Sequence, residues 1–221
     1  MKTTLSKKRN CAMTLVEVFV VIAIVGLLTV IFLLPAGHSK VRAIRIQCVN
    51  NLKQIGLACR VWEGDNGSNY SMFVSGTNGG TMEFTTGPNA WRHFQVMSNE
   101  LSTPRILLCP ADPLRTMAAT NFTFFSNSNL SYFVGIVSND TNPQLILSGD
   151  HNITNGTPVR NGILNLTTNH LSGWTAEMHN KVGNIAMADG SVQQVSISGL
   201  QTVVANTGVA TNRLQMPILG L

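Results

Sequence analysis

The apolar positions of this chain fall into three regimes. Between Val18 and Leu34 run seventeen consecutive residues without a charge, and carrying the run back to Thr14 adds one ionised group, Glu17. A helix of about 21 residues reaches roughly 30 Å, the thickness of a bilayer's hydrocarbon core, so a transmembrane helix is predicted over about 14–34. Beyond it the apolar residues Val41, Ile44, Cys48, Leu52, Ile55, Cys59 and Trp62 recur at steps of 3, 4, 4, 3, 4 and 3. That spacing predicts an amphipathic helix over about 36–63, with Arg42, Arg45, Lys53 and Arg60 on the opposite face, toward solvent. Pro35 lacks an amide proton and predicts a kink, while Gly64-Asp65-Asn66-Gly67 predicts a stop. One long helix, bent once, is expected over roughly 14–63.

The third regime, 64–221, is richer in Asn, Gly, Ser and Thr and reads as a β-rich head. A short helix is predicted around Asn89 to Leu101. Strands are predicted over Arg105 to Cys109, Leu130 to Val137, Gln144 to Ser148, Gly162 to Leu166, Asn184 to Ala188 and Val192 to Ile197. Asp189-Gly190 separates the last two and signals a tight hairpin. Asn-rich stretches such as Ser126 to Asn129 and Asn139 to Asn142 read as loops, and the segment after Asn206 is weakly patterned.

Charge changes the picture only at the N-terminus. The net charge is +5, but Lys2, Lys7, Lys8 and Arg9 supply four of the fifteen basic residues, which leaves eleven against ten in the remainder. A nearly neutral body lacks the broad basic footprint of a nucleic-acid binder, so nucleic acid is not an expected partner. A basic tail before an apolar helix instead predicts a cytoplasmic N-terminus and a head outside the membrane. An ordinary cleaved signal peptide fits less well, because its apolar core is shorter and Leu34-Pro35-Ala36-Gly37 is a poor small-x-small site.

The junction Lys7-Lys8-Arg9-Asn10-Cys11-Ala12-Met13-Thr14-Leu15-Val16-Glu17 resembles the N-terminus of type IV prepilins and of the pseudopilins of type II secretion. The resemblance implies a pilin-like α+β fold, in which one long N-terminal helix, transmembrane then amphipathic, packs on an antiparallel β-rich head. It also implies cleavage by prepilin peptidase between Ala12 and Met13, with methylation of the new amine; Ala12 and Met13 stand where Gly and Phe are usual. The domains would be a 1–12 leader, a 13–63 helix and a 64–221 periplasmic head. A carboxylate in hydrocarbon asks for a cation, and the resemblance assigns Glu17 the N-terminal amine of an adjacent subunit during assembly.

His179 and Asp189-Gly190, with nine residues between them, look like the C-terminal His-x9-Asp-Gly signature of a prepilin-like subfamily. The segments Arg45 to Ala58 and Leu108 to Pro113 look like the same subfamily. Gly190 suits the turn because it takes positive φ at no steric cost. His179 reads first as a hydrogen-bonded structural residue. A metal with Asp189, Asp150 and His151 lacks tight ligand spacing, and calcium in the head rests on analogy with pseudopilins alone, so no cofactor is expected. Of four cysteines, Cys11 lies in the tail. Cys48 and Cys59 stand about 16 Å apart along one helix and cannot pair. Either could bridge to Cys109, and Cys48 is favoured because it lies in a segment carrying the resemblance.

No Gly-x-Ser-x-Gly elbow, phosphate loop or His-Glu-x-x-His is present, so an enzyme is not expected. The reading is a structural subunit of a type IV pilus-like or type II secretion filament, whose partners are prepilin peptidase, related subunits and the inner membrane. The alternative is a membrane-anchored monomeric binding or adhesion module, using the loops at 66–88 and 138–161.

Overall fold

A computed structural model describes residues 13–32 and 37–219. The leader, with Ala12, and the expected kink at Pro35 lie outside the described residues. The chain divides into two compact units, Met1–Arg42 and Ala43–Leu221.

The first unit holds helix α1 (Leu15–Phe32). Thr14 starts it: its amide and hydroxyl donate to Glu17 Oε2 at 2.7 and 2.9 Å, and the Glu17 amide donates to Thr14 Oγ1 at 3.3 Å. This is a capping box, T-x-x-E, which satisfies amides that the first turn leaves unpaired. Helix α2 spans Gly37–Asp65, and all but its first six residues belong to the second unit.

The expected single long helix packed on the head is therefore corrected. The N-terminal segment is a separate helix of 18 residues, and among the described residues no helix is long and apolar enough to cross a membrane. The apolar run contains more residues than its helix: at 1.5 Å per residue, 18 residues give about 27 Å.

The second unit is built in three layers. A six-stranded sheet runs in the order β4-β8-β1-β2-β6-β7, every neighbour antiparallel. Its strands are β1 (Tyr132–Gly135), β2 (Ile146–Asp150), β4 (Ile163–Leu166), β6 (Gly183–Met187), β7 (Val192–Val195) and β8 (Asn212–Gln215). A two-stranded ribbon pairs β3 (Ile153–Thr154) with β5 (Gly173–Trp174).

Alternation along the strands sends side chains to two cores. Tyr132, Val134, Leu147 and Ala186 join Cys48, Leu52, Ile55 and Trp62 of α2. Phe133, Ile146, Ile185 and Met187 join Leu200, Val203 and Val204 of α5 (Ile197–Asn206) on the other side. Complete burial of Leu52 or Ile55 is worth about 2 kcal/mol, so α2 is held by its stripe and not by helix propensity.

Several expected elements shift. Residues Arg105 to Cys109 form no strand, because Pro104 opens a short 3-10 turn capped by Thr103. The helix around Asn89 to Leu101 splits into α3 (Ala90–Gln95) and α4 (Ser98–Leu101). The weakly patterned tail supplies β8, which lies between β4 and β1. Gln215 explains its place: its amide donates to the carbonyls of Phe84 and Gly87 and its oxygen meets His93 Nε2 at 2.7 Å, so a buried polar strand residue is fully partnered.

Candidate functional site

Two regions carry the residues singled out above. In the first unit, Met13 and Glu17 are exposed beside the start of α1. From Leu15 to Val30 twelve large apolar side chains are exposed as well, and they occupy every side of the helix. Glu17 meets no cation among the described residues; its carboxylate is engaged by Thr14.

In the second unit, the His-x9-Asp-Gly segment lies along α2 at two separate places. Arg45 Nη2 donates to the carbonyl of His179 at 2.9 Å, and Arg60 Nη1 donates to the carbonyl of Asp189 at 2.8 Å. Both arginines were expected to face solvent; their flexible stems instead return the guanidinium groups to the head. Asp189 Oδ1 accepts from the Ser191 amide at 2.8 Å, and Gly190 takes φ 84°, closing the β6–β7 turn. The structure does not bring His179 and Asp189 together. They dock on α2 fifteen residues apart, about 22 Å along the axis.

His179 belongs to a different cluster. Its Nε2 lies 3.4 Å from Cys109 Sγ and 3.5 Å from Asp150 Oδ2. Cys109 is joined to Cys48 of α2 in a disulfide with Cα atoms 5.4 Å apart, and Cys59 remains a buried free thiol. Asp150 closes β2, whose pairing with β6 shifts register between Ile146 and Ser148. Its Oδ2 accepts from both the amide and the side-chain nitrogen of Asn184 at 2.8 Å, whereas Oδ1 is buried and unpartnered.

Burial dominates the electrostatics here. It pushes Asp150 up to about 7 against the opposing Asn184 hydrogen bonds. It lowers His179 to about 4, with Arg45 adding to the effect. A further feature marks the segment: His179, Asn180 and Lys181 all take positive φ, at 46°, 54° and 61°. Three successive left-handed residues without a glycine cost about 1–2 kcal/mol each, so the surrounding contacts hold His179 against its backbone preference.

Next door, His151 turns away from Asp150 toward a buried ion cluster that sequence reading missed. Asp112 Oδ2 accepts from Ser131 at 2.7 Å and lies 2.8 Å from His151 Nε2 and 3.3 Å from Arg115 Nη1. Arg115 also donates to the carbonyls of Asn127 and Pro217. Burial raises Asp112, but its hydrogen bonds and cationic neighbours outweigh that and hold it at about 2. The carboxylate of Asp112 and the guanidinium of Arg115 are spent on tying loops together, which is a structural arrangement. The signal available was Asp112 beside Pro113, in a segment flagged only by resemblance.

No family model matches this chain, and no curated protein or solved structure matches it.

Proposed function

We propose that this chain is a structural subunit of a type IV pilus-like or type II secretion filament. In this reading it is anchored at the inner membrane before assembly, cut between Ala12 and Met13 by prepilin peptidase, and joined to its neighbours through α1. The observation that carries the reading is the bare circumference of α1, where twelve large apolar side chains are exposed, whereas the second unit buries its apolar residues in two cores of its own.

Burying such a side chain is worth about 1.5–3 kcal/mol, so a helix apolar all round is built to be covered, by lipid or by like helices. In this proposal neighbouring subunits in a filament provide that cover. Glu17 then becomes the one charge inside that packing. Its partner in this proposal is the N-terminal amine at Met13 of the next subunit, and the Thr14 cap keeps the carboxylate oriented until the amine arrives.

The two arginine latches give the C-terminal segment a mechanical role in the same scheme. A head pulled along a filament must stay fixed to its helix, and Arg45 and Arg60 tie α2 to carbonyls near both ends of that segment. Filaments sheared from cells that express the chain with a prepilin peptidase and an assembly apparatus test the proposal. This chain in the sheared filaments is the expected result. A detergent-extracted protein that stays monomeric, with no filaments, would favour the anchored binding module.

A further inference from the structure

We propose that Cys48, Cys109, His179 and Asp150 form a redox-gated site for zinc(II): a disulfide closes it, and the dithiol state binds the metal. The inference rests on the geometry of the second unit and is independent of the filament reading.

The ligand atoms are already gathered. Cys48 Sγ, Cys109 Sγ and a His179 ring nitrogen lie within 4.8 Å of one another, and all three residues are buried. A tetrahedral zinc ion with sulfur at about 2.3 Å and nitrogen or oxygen at about 2.0–2.2 Å separates its ligand atoms by about 3.4–3.8 Å. His179 Nε2 stands 3.4 Å from Cys109 Sγ, so one edge of the tetrahedron exists before any metal enters, and the Asp150 carboxylate lies beside it with Oδ2 at 3.5 Å from the same nitrogen. The edge that must open is the one between the sulfurs, which rotation about the cysteine side chains provides once their bond is broken.

The surroundings suit a cation. Asp150 Oδ1 is fully buried without a hydrogen-bond partner, which is costly for a carboxylate unless something else takes it up. Asn184 holds Oδ2 with two donors, as an outer-shell residue orients a ligand. Two thiolates and one carboxylate against zinc leave a single negative charge, and Arg45, bonded to the His179 carbonyl, offsets it.

The chemistry balances with a dithiol reductant. The Cys48–Cys109 bond breaks as two electrons and two protons pass from the reductant, which leaves as its own disulfide. Metal binding then releases the two thiol protons to solvent. Cys59 takes no part: burial pushes its thiol up to about 12, and it stands about 16 Å from Cys48 along α2.

The test uses the full chain in detergent with Cys11→Ser and Cys59→Ser, so that only the two site thiols remain. Cobalt(II), a spectroscopic stand-in, is titrated into the oxidised and reduced protein while far-UV circular dichroism follows the fold. The expected result is one equivalent bound only after reduction, with thiolate charge-transfer and tetrahedral d–d bands. Zinc should displace the cobalt. Asp150→Asn should weaken binding at least about tenfold and His179→Ala more, by the scale of ligand and outer-shell losses. Should reduction unfold the protein, recovery of the native spectrum on adding zinc supports the site equally. A reduced protein that binds no cobalt, binds it unchanged with His179→Ala, or stays unfolded whatever metal is added overturns the proposal.

Discussion

Arg60 on α2 donates to the carbonyl oxygen of Asp189 at 2.8 Å, and fifteen residues earlier Arg45 does the same for His179 at 2.9 Å. The two bonds differ in setting, since the first is exposed and the second half-buried. Arg45→Ala should therefore cost about 1–3 kcal/mol, because it strands a shielded carbonyl, and Arg60→Ala less than about 1 kcal/mol. Denaturant unfolding of both variants checks the order. Equal losses would mean that the latches do not differ as their burial implies.

The disulfide closes a loop across a sequence separation of 61 residues. Chain-entropy reasoning gives about 4 kcal/mol for such a loop, so Cys109→Ser in metal-free buffer should lower the unfolding free energy by that order. Thermal and denaturant unfolding of the oxidised protein and the variant measure it.

Gly183 lies directly under the ring of Trp174, so a β-carbon there would collide with the indole. Gly183→Ala should destabilise the head by about 1–3 kcal/mol, the usual scale of overpacking. Gly64→Ala, where no atom stands in the way, serves as the control. Both are read by thermal unfolding.

His93 is buried between Thr81 Oγ1 at 2.6 Å and Gln215 Oε1 at 2.7 Å, and burial lowers it to about 4. A histidine with a depressed folded-state value binds fewer protons folded than unfolded. Its stabilising effect is then complete above about pH 6.5 and is lost as pH falls toward 4, by up to about 3 kcal/mol. Between pH 7 and 4.5 the wild type should lose stability more steeply than His93→Gln. Parallel curves for the two would refute the assignment.

Glu17 serves two readings that separate by mutation. As a helix cap alone, Glu17→Ala and Thr14→Ala should act alike, each costing about 1 kcal/mol of local helix stability. As the assembly carboxylate, Glu17→Ala should abolish filament incorporation while Thr14→Ala retains most of it. Quantifying subunit in sheared filaments decides between them.

Much of the second unit is legible from local pattern. The 3-4 spacing from Cys48 to Trp62 marks the α2 stripe, and Asp189-Gly190 marks the β6–β7 turn. What escapes the pattern depends on partners distant in sequence. Strand β8 is mostly polar: Gln215 bonds to the carbonyls of Phe84 and Gly87 far along the chain, and Asn212 bonds to Thr207 just before the strand. Helix α5 did carry a readable signal, Ser196 as cap with Leu200, Val203 and Val204 on one face. The Thr14-to-Glu17 capping box was equally readable, but a hydrocarbon reading of the segment hid it. Asp112 and Arg115 stand three residues apart in one loop, but His151 follows β2 and lies far along the chain, so local spacing does not announce their cluster. The expected long helix fails against the described residues, where α1 spans Leu15–Phe32 and no helix is long and apolar enough to cross a membrane.

The most direct measurement is the N-terminal sequence and intact mass of the membrane-extracted protein, made with and without a prepilin peptidase. The filament account predicts a mature chain that begins at methylated Met13 only when the peptidase is present. A chain that still begins at Met1 with the peptidase active, or one cut beyond Pro35, would contradict it.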